Sequence, residues 1–263
     1  MSVPLLLLCA TLALALLFAV IYGIARGLNN YGVVDIAWSY AFALVAVFYA
    51  LAGPGWMLRR ALIGAMVIVW SLRLGTHLYR RVMGHHPTED SRYRQLREDW
   101  SANFAPKMFG FFQIQALSVV LLAMPFLLAA RHSAPAFHAW EGLGAVLWLV
   151  AITGESIADR QLHRFVRDHS HRGKVCDVGL WRFSRHPNYF FEWLIWVGFA
   201  LFALASPWGW IALLSPAIML HLLLNVTGVP MAEASSLKSK GDAYRRYQAT
   251  TNAFFPGPRR ASR

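Results

Sequence analysis

The chain has 263 residues, 57% of them hydrophobic and only 14% charged. That composition argues against a soluble globular domain and describes a polytopic membrane protein. A formal charge of +12 raises the question of nucleic acid, but the basic residues sit in loops between apolar stretches, as positive-inside topology requires. Cys9 in an apolar run and Cys176 in a polar loop form neither a disulfide framework nor a metal-ligand cluster.

The first apolar run, residues 3–26, is long enough to span a bilayer. No positively charged segment precedes it, so it is expected to be a retained helix rather than a cleaved signal peptide. A second span covers residues 31–53 with Asp35 near its start, and a third covers 60–82 with Arg73 and His77 inside it. Polar residues take over from 85 to 107, where EDSRYRQLREDW reads as a short surface helix. Spans four and five cover 109–130 and 139–159, and a basic loop follows over 160–185. Pro187 opens span six, which runs to 205; Ser206-Pro207 forms a turn, and span seven runs over 208–228 before a polar tail. The expected fold is therefore an all-α integral membrane protein of seven transmembrane helices. It is read as one polytopic domain, residues 1–263, with no repeat.

All Lys and Arg except Arg59, Arg60, Arg131 and the intramembrane Arg73 fall on the side that holds the 85–107 loop, the 160–185 loop and the C-terminus. The asymmetry predicts a cytoplasmic C-terminus and an external N-terminus.

The chain is organised around residues 155–192. In SRHPNYFFE the proline disfavours helix for the residue before it, so His186 is expected outside the helix. Pro187 suits the first helical position, where its missing N–H costs nothing. Arg185 and His186 then stand before a helix N-terminus that favours anions, and Asn188 and Glu192 share one face of the entering helix. Ionisable groups within spans are costly and mark function by default. The set is Asp35, Arg73, His77, Glu155, Asp159, Glu192 and His221. All but His221 fall in the cytoplasmic halves of their spans. Glu155 and Asp159 lie one turn apart, as do Arg73 and His77. A purely structural role has Asp35 pairing with Arg73 and the other carboxylates with loop arginines.

The runs GKVCDVGLWRFSRHPNYFFE and YRRYQATTNAFFPGP resemble the bacterial steroid 5-alpha-reductase C-terminal-like membrane proteins, and more distantly the eukaryotic steroid and sterol reductases. The likeness extends through GESIADRQLHRF to VVDIAW and VWSLRL. Isoprenylcysteine and phospholipid methyltransferases, which use S-adenosylmethionine, have a similar helix start. The resemblance implies a reductase of the bacterial inner membrane. NADPH would lie in a cavity between the C-terminal helices (139–263) that opens to the cytoplasm, with helices 1–130 on the substrate side. Glu155 and Asp159 match polar cofactor contacts, and Asn188 and Glu192 match the family's asparagine and glutamate at the start of span six. Lys174 and Arg164 or Arg167 fall near its phosphate-binding positions. Arg73 matches an arginine of span three, with His77 where the steroid enzymes have tyrosine. Arg81, Arg185, His186, Tyr189 and Asn225 are counted with these as cofactor-binding candidates.

In the steroid reductases a glutamate of span two and a tyrosine of span three polarise an enone carbonyl. Asp35 lies near the glutamate position and Trp70 near the tyrosine position, so Tyr31 and Ser39, each four residues from Asp35, are candidates for the missing hydroxyl. The implied activity is NADPH-dependent reduction of an activated C=C bond in a lipophilic, membrane-dissolved substrate. A protonated Asp35 would hydrogen-bond the carbonyl. An S-adenosylmethionine-dependent methyltransferase is the alternative, and a non-catalytic protein that keeps the scaffold is a third reading. The topology makes its own prediction: a reporter fused after residue 263 is cytoplasmic and one placed before Met1 is external. A tag at Pro54–Gly55 that is reached only from the cytoplasm would refute it.

Overall fold

The computed structural model describes residues 1–260, and all of its regular elements within that range are helical. Seven helical stretches are long and apolar enough to cross a membrane, one for each expected span. The chain divides into two compact units, Met1–His138 with Ala203–Ile211, and Ala139–Phe202 with the chain from Ala212 on.

The first unit contains α1 (Val3–Gly27), α2 (Val33–Ala52), α3 (Met57–Gly84), α4 (Ser91–Asp99), α5 (Phe104–Leu122) and α6 (Met124–Arg131). In α1 the buried residues Leu6, Ala10, Leu14 and Phe18 recur every fourth position, while Leu8, Leu12, Leu16 and Val20 are exposed. One stripe therefore packs on protein, against α2 and α5, and the opposite face is left for lipid. The fourth span is two helices rather than one. The break is at Ala123, and Pro125 sits in the first turn of α6, where its missing N–H is tolerated.

Arg59 is fully buried at the start of α3. Its guanidinium donates to the carbonyls of His132 and Ala134 at 2.8 Å each and of Ala136 at 2.5 Å. Arg60 serves Ala50 at 2.7 Å and Gly53 at 2.8 Å. These two arginines satisfy carbonyls of the irregular backbone after α6 and at the end of α2, a requirement for any chain at or near hydrocarbon depth.

The second unit contains α7 (Ala139–Arg167), α8 (up to Phe202 of the helix Pro187–Leu204), α9 (Leu214–His221), α10 (Val229–Lys240) and α11 (Asp242–Thr250). The fifth span was expected to end at Asp159, but α7 continues two turns further. Its extension, RQLHRFVR, has no Gly or Pro, so it stays helical after its apolar character ends, and Arg164 and Arg167 in the last turn suit the helix dipole. The seventh span is interrupted: α9 passes into a π-turn, Leu222–Val226, before a bend at Gly228 and the start of α10. The polar tail is thus largely helical.

The backbones of α7 and α8 meet. A Cβ on Gly144 would stand 2.5 Å from the Phe202 nitrogen and 2.7 Å from the Gly198 oxygen, the close approach that small residues permit between membrane helices. Farther along the pair, the space at Gly154 is filled by the Phe191 ring, and the residue after each of these is a glutamate. Gly144→Ala is expected to cost about 1–3 kcal/mol in thermal unfolding in detergent, because backbone has to move. Gly142→Ala, whose Cβ meets nothing within 4 Å, is expected to be neutral or slightly stabilising. Equal effects would contradict the packing.

Candidate functional site

Asp35 lies in the first turn of α2. The Tyr93 hydroxyl donates to its Oδ1 at 2.7 Å and the Arg92 Nη2 to its Oδ2 at 2.7 Å. Both partners come from α4, and Asp90 fixes that helix. Its Oδ1 caps the N-terminus by accepting from the Arg92 backbone N–H at 3.0 Å and also receives the Arg92 Nε at 3.1 Å. Its Oδ2 receives the Arg81 Nη2 at 2.5 Å. Burial alone would raise the Asp90 carboxyl, but its hydrogen bonds and charges from Arg92, with Arg81 behind them, hold it far below the usual carboxylate range. For Tyr93, burial and then the Asp35 charge push the phenol well above its ordinary value, so the hydroxyl keeps its proton.

A second tether holds the same segment. Arg97 donates to Glu89 at 2.7 Å and to the Asn29 side chain at 2.8 Å, and its guanidinium lies 4.8 Å from the Tyr31 ring centroid. Glu89 also accepts from the Tyr31 backbone N–H at 2.7 Å.

This geometry revises several expectations. The hydroxyl beside Asp35 belongs to Tyr93. Tyr31 precedes α2, and its ring packs among Tyr22, Phe104 and Phe112; the Ser39 hydroxyl is turned back onto the Asp35 carbonyl at 2.9 Å. Trp70 is fully buried, with its ring 5.3 Å from Phe42, in a core position. The ion-pair partner of Asp35 is Arg92 rather than Arg73. The Tyr93 hydroxyl and the Arg92 guanidinium direct an O–H and an N–H, respectively, at Asp35. The signal for α4 lay in Tyr93, Leu96 and Trp100, which recur at helical spacing on one face. Arg73, His77 and Arg81 follow one another at four-residue steps along α3, and Arg81 reaches Asp90.

In the second unit His186 stands before α8 and Pro187 is its first residue, as the X-Pro rule predicts. The RHP head is bound to the tail. Arg185 Nε donates to Glu233 Oε1 at 2.6 Å, and its Nη1 donates to the carbonyls of Gln248 at 3.1 Å and Thr251 at 2.6 Å. His186 Nε2 is 3.3 Å from the same Glu233 oxygen, and Gln248 Nε2 donates to Oε2 at 2.8 Å. Tyr189 stacks on His186 with centroids 5.4 Å apart. The Tyr247 hydroxyl donates to the Ser184 carbonyl at 3.2 Å and also to that of Trp181. Arg185 is thus occupied within the fold, and Glu233 and Gln248, which sequence reasoning passed over, are its partners.

Past this head, Glu192 is buried and accepts from the Trp196 indole N–H at 3.0 Å. Glu155 on α7 is also buried, Asp159 lies one turn on, and Asn188 is half-buried in the first turn of α8. Arg164 and Arg167 are exposed on the last turn of α7, and Lys174 is exposed in the loop that follows. Asn225 lies in the π-turn, its Nδ2 3.4 Å from His221 Nδ1.

A family model described as "Protein of unknown function (DUF1295)" matches residues 21–251. The chain belongs to the DUF1295 family. It is 31% identical over 269 residues to an uncharacterized protein of Schizosaccharomyces pombe, a match that covers 90% of this chain and 76% of the relative. No solved structure matches it. The family match takes in Asp35, α4, the RHP head, Glu233 and Gln248, and so both assemblies described above.

The side chains of Arg185 and Glu233 are only 11% and 17% exposed. Arg185→Ala leaves Glu233 without its strongest partner and is expected to lower stability by about 3–5 kcal/mol, read as an earlier melt in the absence of any cofactor. An unchanged melt would mean that the tail does not depend on this pair.

Proposed function

We propose that the chain is an NADPH-dependent reductase of an activated C=C bond in a lipophilic substrate. The observation that carries this reading is the Tyr93 hydroxyl held on Asp35, with Arg92 beside it. Reduction of an enone places negative charge on the carbonyl oxygen, which needs an N–H or O–H donor fixed in advance. Arg92 has N–H groups beyond those it gives to Asp35 and Asp90, and Tyr93, whose single proton is given to Asp35, would turn it to the carbonyl oxygen as the substrate binds. In the acid–tyrosine pair that the resemblance implies, Asp35 of α2 would be the acid, and the tyrosine would be Tyr93 of α4 in place of the position held by Trp70. NADPH, when bound, would supply the hydride that adds to the β-carbon, and the α-carbon would take its proton from water, which gives the saturated ketone and NADP+.

The residues present fit such a cofactor. Glu155 and Glu192 are buried carboxylates in apolar helices, suited to accept from ribose hydroxyls or an amide. Asn188 would offer a carboxamide both a donor and an acceptor. Arg164, Arg167 and Lys174 would meet phosphate oxygens.

Thermal unfolding in detergent tests the reading. NADPH is expected to raise the melting point, and S-adenosylmethionine is not. Glu192→Gln is expected to lose the NADPH-induced shift while the unliganded melt barely moves. Tyr93→Phe is expected to keep the shift and to slow reduction of a Δ4-3-oxosteroid, used as probe enone, by about 10²- to 10³-fold. Stabilisation by S-adenosylmethionine alone would replace reduction with methyl transfer.

A further inference from the structure

The tail of the second unit folds back on the loop that follows α7. Gly257 N–H donates to the Phe183 carbonyl at 3.0 Å and Arg260 N–H to the Thr250 carbonyl at 2.9 Å. The result is a cleft of about 1210 Å³ between the 173–177 loop, α11 and the last described residues. Four cations line it, Lys174, Arg246, Arg259 and Arg260, against one carboxylate, Asp177.

Two of the four are set in place by the protein: Arg259 donates to Asp177 at 2.7 Å, and Arg260 to the Asn252 side-chain oxygen at 3.1 Å. The other two, the Lys174 ammonium and the Arg246 guanidinium, have no side-chain hydrogen bond or ion pair among the described residues. Topology accounts for the sign of these charges but not for their convergence on one concave site from three separate segments. Asp177 offsets only one of these charges, and an anion between the others would relieve the repulsion that solvent leaves among them; guanidinium forks match phosphate oxygens in particular.

We propose that this cleft is a phosphate-binding site, taking a phosphate-bearing ligand between Lys174 and Arg246 with Arg259 and Arg260 as the opposite wall. The same chemistry is presented by a soluble phosphorylated molecule and by the headgroup of an anionic lipid at the membrane surface. Only Lys174 is shared with the proposed cofactor site, and the inference holds whether or not the chain is a reductase.

The test uses the full-length protein with inorganic pyrophosphate in detergent, and in nanodiscs of phosphatidylcholine with or without phosphatidylglycerol. Lys174→Gln/Arg246→Gln is the variant, and Lys107→Gln, on α5, is the control for loss of charge. If the ligand is soluble, pyrophosphate raises the melting point of the parent, and the double variant binds it weaker by about tenfold or more for each lost charge. If the ligand is a lipid, pyrophosphate has little effect, phosphatidylglycerol stabilises the parent and is retained by it in native mass spectrometry, and the double variant loses both effects. Neither probe distinguishing parent from double variant, or Lys107→Gln behaving like the double variant, overturns the site. Since pyrophosphate has no nicotinamide, failure here is separate from failure of NADPH to bind.

Discussion

A charge next to hydrocarbon has to be answered by a polar group of the same protein, and most of the specific geometry here follows from that. Arg59 satisfies three carbonyls of the backbone after α6. Asp35, at the mouth of α2, draws two residues of α4 onto itself. Arg185, at the mouth of α8, draws in Glu233 and two carbonyls of the tail. The long apolar helices would pack adequately in many registers; these polar pairings select one. In the second unit Gly144 and Gly198 add a steric condition, since α7 and α8 approach this closely only where both lack a side chain.

The same contrast explains what was legible in the sequence. Spans are written in runs of apolar residues long enough to cross a bilayer, so all seven could be read, and Pro187 marked the start of α8 by a local rule. Helix ends were less legible: α7 passes Asp159 because helical propensity outlasts hydrophobicity. The π-turn at Leu222–Val226 leaves no pattern in hydropathy at all. Least legible were the partners. Asp35 and Tyr93 are separated by 58 residues and Arg185 and Glu233 by 48, and no periodicity connects positions that far apart. A polar helix such as SRYRQLRED reads as a solvated surface until the carboxylate it serves is known.

That lesson bears on the chemistry. Position-by-position likeness to the steroid reductases places a tryptophan where a hydroxyl is needed, and on that ground alone the enone reading weakens. Trp70 is instead a core residue against Phe42, and a hydroxyl reaches the acid from another element. A functional group is defined by where its atoms stand, not by the helix that carries it. Family membership in DUF1295 assigns no chemistry, so any reading of this site rests on where Asp35, Arg92 and Tyr93 stand.

Tyr93 is dependable only if α4 is. A helix of nine residues is marginal in isolation, so its position rests on its tethers: Asp90 as cap and anchor for Arg81 and Arg92, Arg92 and Tyr93 on Asp35, and Arg97 on Glu89 and Asn29. The Asp90 carboxyl is held below its unfolded value, near 4. Its contribution is therefore complete above the unfolded value and disappears only as the pH falls through the lower folded one. Across the neutral range the Asp90 contribution to holding α4 is complete. The Tyr93 phenol, raised by burial and by Asp35, likewise remains protonated there. The phenol and the guanidinium are thus both held on Asp35 by tethers that run through α4.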